Sequence, residues 1–280
     1  MRAAEPCGVV TIPLLDLRRR PDHASEMCSQ LLLGEGVDVL ARADAGRWLR
    51  VRNHADGYRG WVRSWGLVLA SRPRARAWVR LARHRVNVLG TELRTAPGGG
   101  GTVSPLVWNS RVIAGPRRGR HTAVELPDGR RGWVVSASLA AARLGPPRLV
   151  QRIRSLIGAP YLWGGRSPAG LDCSGFVQQA LAEQGVRLPR DAHDQMRVSR
   201  PLTGREQARV GDLVFFGPAA RSGAHVGIYL AAGYFAHARG RVMLSSLDPD
   251  NMLCDNALQV QYRGLGRPPR SWRPGGTESA

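Results

Sequence analysis

Cys173 occupies a position that suits a reactive thiol better than a packing one. It follows PYLWGGRSPAG (160–170), which is dominated by turn-forming and aromatic residues, and it begins CSGFVQQALAEQG (173–185), whose apolar spacing predicts a helix. Unpaired backbone N–H groups and the positive dipole end at the first turn of a helix favour thiolate over thiol. We therefore expect a lowered pKa and a nucleophilic sulfur, although a cysteine at a helix start also serves as a cap or as core.

Two histidines are predicted to lie on neighbouring strands. His225 begins HVGIYL and His237 lies in YFAHA, and Gly233 marks the short turn between them. In an antiparallel pair with so short a connection the two rings can share one face, one as general base for the thiol and the other fixing its tautomer. Each alone is more typical of a half-buried strand histidine, but together with Cys173 they predict nucleophilic catalysis.

The histidine pair does not have the features of a metal site. No H-E-x-x-H helix is present, and no carboxylate accompanies the two histidines at ligand spacing. We therefore expect neither a metal nor another cofactor.

The first half of the chain contains an internal repeat. DGYRGWVRS (56–64) recurs as DGRRGWVVS (128–136), and each copy follows an alternating stretch, WLRVRNH (48–54) and HTAVELP (121–127). Alternation followed by Asp-Gly and Gly-Trp-Val predicts a hairpin with a turn that requires positive φ. Short strands made twice predict two small all-β barrels, joined by SRPRAR (71–76).

The pattern changes after residue 148. LVQRIRSLIG (149–158) is amphipathic at helical spacing, and strand patterns at 211–216, 225–230 and 234–238 follow the helix that begins at Cys173. Helices followed by a run of strands predict an α+β domain. The predicted organisation is two all-β domains at 1–72 and 73–145, an α+β domain at 146–268 and a loose tail at 269–280.

The chain is strongly basic, with a formal net charge of +20 carried by arginine and no lysine. Such a charge is compatible with an acidic partner, for example nucleic acid, anionic lipid or an acidic polymer. The arginines are spread evenly and no base-reading motif accompanies them, so a high-GC genome is the favoured explanation. We expect no nucleic-acid partner.

The cysteines and the N-terminus bear on location. Cys7, Cys28, Cys173 and Cys254 form no C-x-x-C pair, which suits free thiols in a reducing compartment but leaves two disulfides possible. Residues 1–20 lack the apolar core of a signal peptide, and no apolar run approaches the roughly 20 residues of a membrane span. We expect a cytoplasmic protein without a membrane partner.

Six motifs in the second half resemble, in order, those of NlpC-type cell-wall cysteine peptidases. The resemblance covers about 148–265 and implies a papain-like fold for this α+β domain. It also implies a triad of Cys173 as nucleophile, His225 as base and His237 as orienting group, with Tyr161 assisting the oxyanion. The motifs are PYLWGG (160–165), LDCSGFVQ (171–178), LPRDAHDQ (188–195), GDLVFF (211–216), HVGIYL (225–230) and FAHA (235–238).

The first half resembles bacterial SH3-type domains. Residues 19–40 and 55–62 are similar to the first such domain of recycling enzymes that cleave γ-D-glutamyl-L-diamino acid bonds. That resemblance assigns Glu26 and Tyr58 to a pocket for a free N-terminal L-Ala, and the repeat adds independent support because Arg130 replaces Tyr58 in the second copy. It leaves His193 without a role. The other residues assigned to the pocket are Trp163, Asp172, Ser174, Arg190 and Asp191.

The resemblance implies an endopeptidase that hydrolyses the γ-D-glutamyl-L-diamino acid bond of murein peptides with a free N-terminal L-Ala. Its partner is then a murein tripeptide or a related muropeptide. Two alternatives stay open: a hydrolase of intact peptidoglycan stems with the SH3-type domains as wall anchors, and a non-enzymatic wall-binding module. The sequence leaves the diamino acid and the oligomeric state undetermined.

Overall fold

The chain folds into two compact units, Met1–Ala142 and Arg143–Ala280. The computed structural model describes residues 6–140, 146–218, 224–269 and 272–274. Most of the tail predicted at 269–280 and the predicted boundary at 145 lie outside the described residues, so these limits stay predictions.

The first unit contains two seven-stranded antiparallel sheets with the same strand order. The order is β3-β2-β6-β5-β4-β1-β7 in the first sheet and β10-β9-β13-β12-β11-β8-β14 in the second, so each strand has its counterpart seven positions later. The strands of the first sheet are β1 (Cys7–Val10), β2 (Leu14–Arg18), β3 (Met27–Leu32), β4 (Gly36–Ala43), β5 (Trp48–Asn53), β6 (Arg59–Arg63) and β7 (Leu67–Ala70). Those of the second are β8 (His84–Val86), β9 (Gly90–Ala96), β10 (Gly99–Val107), β11 (Arg111–Arg118), β12 (His121–Glu125), β13 (Arg131–Val135) and β14 (Leu139–Ala140).

The repeated Asp-Gly turns adopt the predicted conformation. Gly57 has φ 74° and Gly129 has φ 86°, a region that L side chains rarely enter. The all-β character of both repeats is therefore confirmed. Barrel closure is not shown, because neither strand order closes on itself in the described part of the chain.

The segment predicted as a joint at 71–76 does connect the two sheets, and most of it forms the start of a helix. This helix, α1 (Arg72–Leu81), has Pro73 in its first turn, where a missing N–H removes no helical hydrogen bond. It packs on β1 and β4, and Ala75 is buried against Cys7 and Val9. The helix covers part of the first sheet.

Arg130 connects the two repeats within the first unit. Its guanidinium donates to the carbonyl oxygens of Thr11 at 2.7 Å and Val103 at 3.3 Å and pairs with Asp128 at 2.8 Å. Tyr58, its counterpart in the first copy, is partly buried against the apolar core of the first sheet. The arginine of the second copy therefore has a structural role, because it links the two repeats by hydrogen bonds.

The second unit is an α+β domain, as predicted. A six-stranded antiparallel sheet has the order β17-β22-β18-β19-β20-β21, and α3 packs against β19 and β20. The strands are β15 (Arg166–Ser167), β16 (Gly170–Leu171), β17 (Arg200–Pro201), β18 (Leu213–Phe216), β19 (His225–Ala231), β20 (Tyr234–Arg239), β21 (Arg241–Ser246) and β22 (Tyr262–Arg267). The helices are α2 (Pro146–Leu156), α3 (Cys173–Glu183), α4 (Ala192–Val198) and α5 (Asn256–Gln259).

Helix α3 is held by apolar packing and by one buried ion pair. Phe176, Val177 and Ala180 on its predicted apolar face are fully buried. At its last turn Glu183 accepts from both Nε and a terminal nitrogen of Arg152 on α2, at 3.0 and 2.8 Å. Among the described residues, no helix is long and apolar enough to cross a membrane.

Gly132, in the repeated Gly-Trp-Val motif, tests the packing of the second sheet. A Cβ there would lie 2.5 Å from the Arg94 carbonyl oxygen and 2.8 Å from Leu93 Cγ. We expect Gly132→Ala to lower the free energy of unfolding by about 1–3 kcal/mol, because neighbouring backbone has to move. Gly101→Ala is the control, since nothing lies within 4 Å of its Cβ position. Urea denaturation followed by tryptophan fluorescence measures both, and equal stabilities would contradict the packing described.

Candidate active site

Helix α3 begins at Cys173, and the local sequence explains why. Asp172 is the N-cap, and its Oδ1 accepts from the backbone N–H of Gly175 at 2.7 Å. A Cβ on Gly175 would lie 2.2 Å from the carbonyl oxygen of Gly165, so a glycine is required where the preceding loop passes over the first turn. The motif therefore presents Cys173 at a tightly packed helix start, as predicted from its position.

Three residues predicted to bind substrate form one buried network. Arg190, which is 2% exposed, donates to Oδ1 of Asp172 at 3.0 Å, to its Oδ2, and to Ser174 Oγ at 2.9 Å. Oδ2 of Asp172 also accepts from the backbone N–H of Gly164 at 2.9 Å. The Asp172 carboxylate thus has protein donors on both oxygens, and its predicted contact with a substrate amine stays a prediction.

His225 and His237 lie together, as their strand pattern predicts. His225 Nε2 is 2.8 Å from His237 Nδ1, and the rings meet edge to face with centroids 5.0 Å apart. Gly227 lies opposite His237 on the paired strand, and a Cβ there would lie 3.2 Å from His237 Cβ. A side chain at residue 227 would also lie 2.8 Å from the Ala236 carbonyl oxygen, so glycine is required where the two strands that carry the histidines pair.

Ser245 continues the series of hydrogen bonds that joins His225 to His237, and the sequence did not predict its role. His237 Nε2 lies 3.0 Å from Ser245 Oγ, and both residues are buried, at 0% and 1% exposure. Ser245 lies on β21, which the strand prediction did not include. The apolar run of Val242, Met243 and Leu244 after the turn residue Gly240 is the signal that could have predicted this strand.

The structure reverses the predicted ionisation of the thiol. Burial raises the pKa of Cys173 to about 11, and the nearby Asp172 carboxylate raises it further. The backbone N–H groups of Val226 and Ser174 and the Arg190 cation act in the opposite direction without offsetting burial. The expectation of a lowered pKa is therefore wrong, because the helix start that favours an anion is also shielded from water.

The pKa values of the two imidazoles are lowered, which also favours their neutral forms. Burial, the other imidazole and the Arg239 cation lower the pKa of His225 to about 3, and burial and Arg239 lower that of His237 to about 4. At neutral pH these shifts favour a neutral thiol and two neutral imidazoles. Val226, whose N–H favours the thiolate, directly follows His225, so the sulfur lies beside the start of β19.

The aromatic residues of the loop before α3 have different environments. Tyr161 is half-buried, and burial and the neighbouring Cys173 raise its pKa to about 12, so its hydroxyl keeps its proton. Trp163 is 61% exposed and contributes little to the core. The roles predicted for Tyr161 and Trp163 stay predictions.

The remaining predicted residues are placed as follows. Glu26, in the first unit, pairs with Arg19 across the β2–β3 hairpin at 2.6 Å, and Tyr58 lies in the same unit. Asp191 is the N-cap residue of α4, without a side-chain cap bond. His193 is 3.5 Å from Asp194. The roles predicted for Glu26, Tyr58 and Asp191 stay predictions.

One further polar cluster lies in the first unit. Among the described residues, Cys7, Asp38 and His54 have ligand atoms within 4.8 Å of one another. Asp38 accepts from Arg52 at 2.7 Å, and its other oxygen lies 3.0 Å from His54 Nε2. Although burial raises its pKa, these hydrogen bonds lower it to about 2. An anion paired with a guanidinium explains the cluster without a metal ion.

Comparison with known proteins identifies relatives of both units. Residues 158–259 match the NlpC/P60 family, and residues 17–67 match the bacterial dipeptidyl-peptidase Sh3 domain. A γ-D-glutamyl-L-lysine dipeptidyl-peptidase of Bacillus subtilis is 28% identical over 75% of this chain and 71% of its own length. The murein DD-endopeptidase MepS/murein LD-carboxypeptidase of Escherichia coli is 38% identical over 36% of this chain and 54% of its own length.

A solved structure confirms the fold. An NlpC/P60 family protein from Bacillus cereus superposes with a TM-score of 0.80 at 21% identity, over 93% of this chain and 99% of that one. The papain-like fold predicted for the α+β domain is thereby confirmed.

Replacement of Arg190 tests whether its hydrogen bonds to Asp172 stabilise the folded protein. We expect Arg190→Leu to lower the free energy of unfolding by about 3–5 kcal/mol, because it leaves a buried carboxylate without its cation. Arg187→Leu is the control, since Arg187 is exposed on the same connection. Denaturant unfolding measures both. A stable Arg190→Leu protein that only loses substrate affinity would instead make this arginine a binding residue.

Proposed function

The chain carries a cysteine peptidase domain of the NlpC/P60 family, and on that premise we propose that it hydrolyses γ-D-glutamyl-L-diamino acid bonds of murein peptides with a free N-terminal L-Ala. One observation carries this proposal. The similarity to the γ-D-glutamyl-L-lysine dipeptidyl-peptidase extends over 75% of the chain and therefore includes residues of both units. The predicted cytoplasmic location and the absence of a nucleic-acid partner stay predictions.

Cys173 is the proposed nucleophile and His225 the proposed base. His225 uses Nε2 to contact His237, so Nδ1 is the nitrogen left to receive a proton. As sulfur attacks the γ-carbonyl carbon of D-Glu, the thiol proton passes to this Nδ1, and the carbonyl becomes an oxyanion. The backbone N–H of Cys173 and the protonated hydroxyl of Tyr161 are the proposed donors to that oxyanion.

Collapse of the oxyanion breaks the C–N bond. The His225 imidazolium gives its proton to the leaving amine of the diamino acid, and a thioester to Cys173 remains. Water then attacks the thioester while giving a proton to Nδ1 of His225, and that proton returns to sulfur when L-Ala-D-Glu leaves. Every proton transfer in this reaction takes place between Cys173, His225, water and the leaving amine of the substrate.

This mechanism starts from neutral groups, which predicts how alkylation depends on pH. With the pKa of Cys173 raised to about 11, the thiolate fraction rises up to that pH. We expect iodoacetamide to modify Cys173 about tenfold faster per pH unit between about pH 6 and pH 10. Mass spectrometry of the Cys173 peptide measures the rate, and His225→Ala should keep the same slope. A rate that is flat across neutral pH would show a preformed thiolate–imidazolium pair.

Substrate choice tests the proposed function itself. We expect hydrolysis of L-Ala-γ-D-Glu-L-lysine or L-Ala-γ-D-Glu-diaminopimelate, and at least about 100-fold slower hydrolysis when the alanine amine is acetylated, because an amide cannot make the charge-assisted contacts of an ammonium. Chromatography of released L-Ala-D-Glu measures both, and Cys173→Ala should release none. Equal hydrolysis of capped and free peptides would refute the requirement for a free amine.

Glu26 is proposed, on the resemblance, to favour the free amine. Glu26→Ala should reduce the preference for the free over the acetylated peptide about tenfold or more. Glu92→Ala is the control, because Glu92 is also a partly exposed partner of an arginine in the first unit. Unchanged discrimination in Glu26→Ala would remove this residue from the proposed binding set.

A second candidate function is hydrolysis of intact peptidoglycan stems. The 38% identity to the Escherichia coli murein endopeptidase, over 36% of this chain, favours it. It requires activity on stem peptides whose L-Ala amine is acylated, so the acetylated peptide also distinguishes the two functions.

A further inference from the structure

A chain of hydrogen bonds extends from the partly buried His225 through His237 to the buried Ser245, beyond the proposed triad. His225 Nε2 is 2.8 Å from His237 Nδ1, and His237 Nε2 is 3.0 Å from Ser245 Oγ. Ser245 pairs with Phe235 on the neighbouring strand, so it lies diagonally across from His237 on the same face. At 1% exposure its hydroxyl is shielded from solvent.

Proton counting along this chain leaves one productive arrangement. When His225 has accepted the thiol proton, both of its nitrogens carry hydrogen, and Nε2–H must donate to His237 Nδ1. A neutral His237 then carries its own hydrogen on Nε2. That hydrogen needs an acceptor, and Ser245 Oγ is the group within reach.

The opposite arrangement is unproductive. If His237 carries its hydrogen on Nδ1, it donates to His225 Nε2, and neutral His225 must place its hydrogen on Nδ1. The base nitrogen is then already protonated and cannot accept from Cys173.

We propose that Ser245 is a positioning residue that accepts from His237 Nε2–H and thereby stabilises the tautomer in which Nδ1 of His225 is free to act as base. The inference rests on the roles proposed for Cys173 and His225, and it is independent of which murein peptide is cleaved.

Within the part of the chain that the structure describes, Ser245 is the hydrogen-bond partner of His237 Nε2. The charged groups that act on His237 are Arg239 on its own strand and Asp255 at the start of α5, and those two form an ion pair with each other. His225 is influenced by His237 and Arg239. Phe216 and Phe235 pack against the rings as apolar neighbours.

Kinetics of three variants test the proposal. Ser245→Ala should lower kcat about 10- to 100-fold, with KM changed less than about twofold, because the buried N–H loses its acceptor. Ser245→Thr retains the hydroxyl and should recover most of the activity. Ser246→Ala is the matched control: this buried neighbour accepts from the Asp248 backbone N–H, outside the catalytic chain. Wild-type activity in Ser245→Ala, or an equal loss in Ser246→Ala, would overturn the proposal.

Nitrogen-15 NMR of the histidine rings gives a test that needs no substrate. In the wild-type protein both His225 and His237 should carry hydrogen on Nε2, and Ser245→Ala should move His237 toward the Nδ1–H form. Hydrogen on Nδ1 of His237 in the wild-type protein would overturn the proposal, even if Ser245→Ala does not fold. If no murein peptide is cleaved, the proposed function fails, but this measurement still decides the role of Ser245.

Discussion

The Asp172 carboxylate is the contact on which the geometry of the catalytic unit depends. It caps helix α3, accepts from Gly164 in the preceding loop and pairs with the buried Arg190 of the following segment. Three separate parts of the chain are thus joined at the residue before the nucleophile. A buried carboxylate without these donors would be costly, so the loop, the helix start and Arg190 must assemble together.

Burial also determines the ionisation of the catalytic groups. Burial disfavours isolated charges, so the pKa shifts of the Cys173 thiol and of the His225 and His237 imidazoles all favour the neutral forms. The chemistry proposed here then forms its ion pair only during attack, when sulfur gives up its proton. In such a site a hydrogen-bonded chain that fixes the tautomers determines which ring nitrogen of His225 can accept the thiol proton.

The first unit shows how a duplicated sequence can keep one topology while its copies diverge. Both copies have the same strand order and the same positive-φ glycine in the hairpin turn. Where the first copy has Tyr58, the second has Arg130, which joins the two repeats through the Thr11 carbonyl. One position in the hairpin therefore serves different purposes in the two copies, and the backbone is unaffected because its turn is specified by the preceding glycine.

The sequence by itself determined the α+β and all-β classes, the repeat, the helix that starts at Cys173 and the hairpin that carries His225 and His237. These features are local, since they follow from periodicity, turn residues and capping within short segments. Only the tertiary structure decided the ionisation of the thiol, the pairing of Asp172 with Arg190 and the presence of Ser245 beside His237. Burial and contacts between distant segments control these properties, and neither quantity is encoded in the spacing of nearby residues.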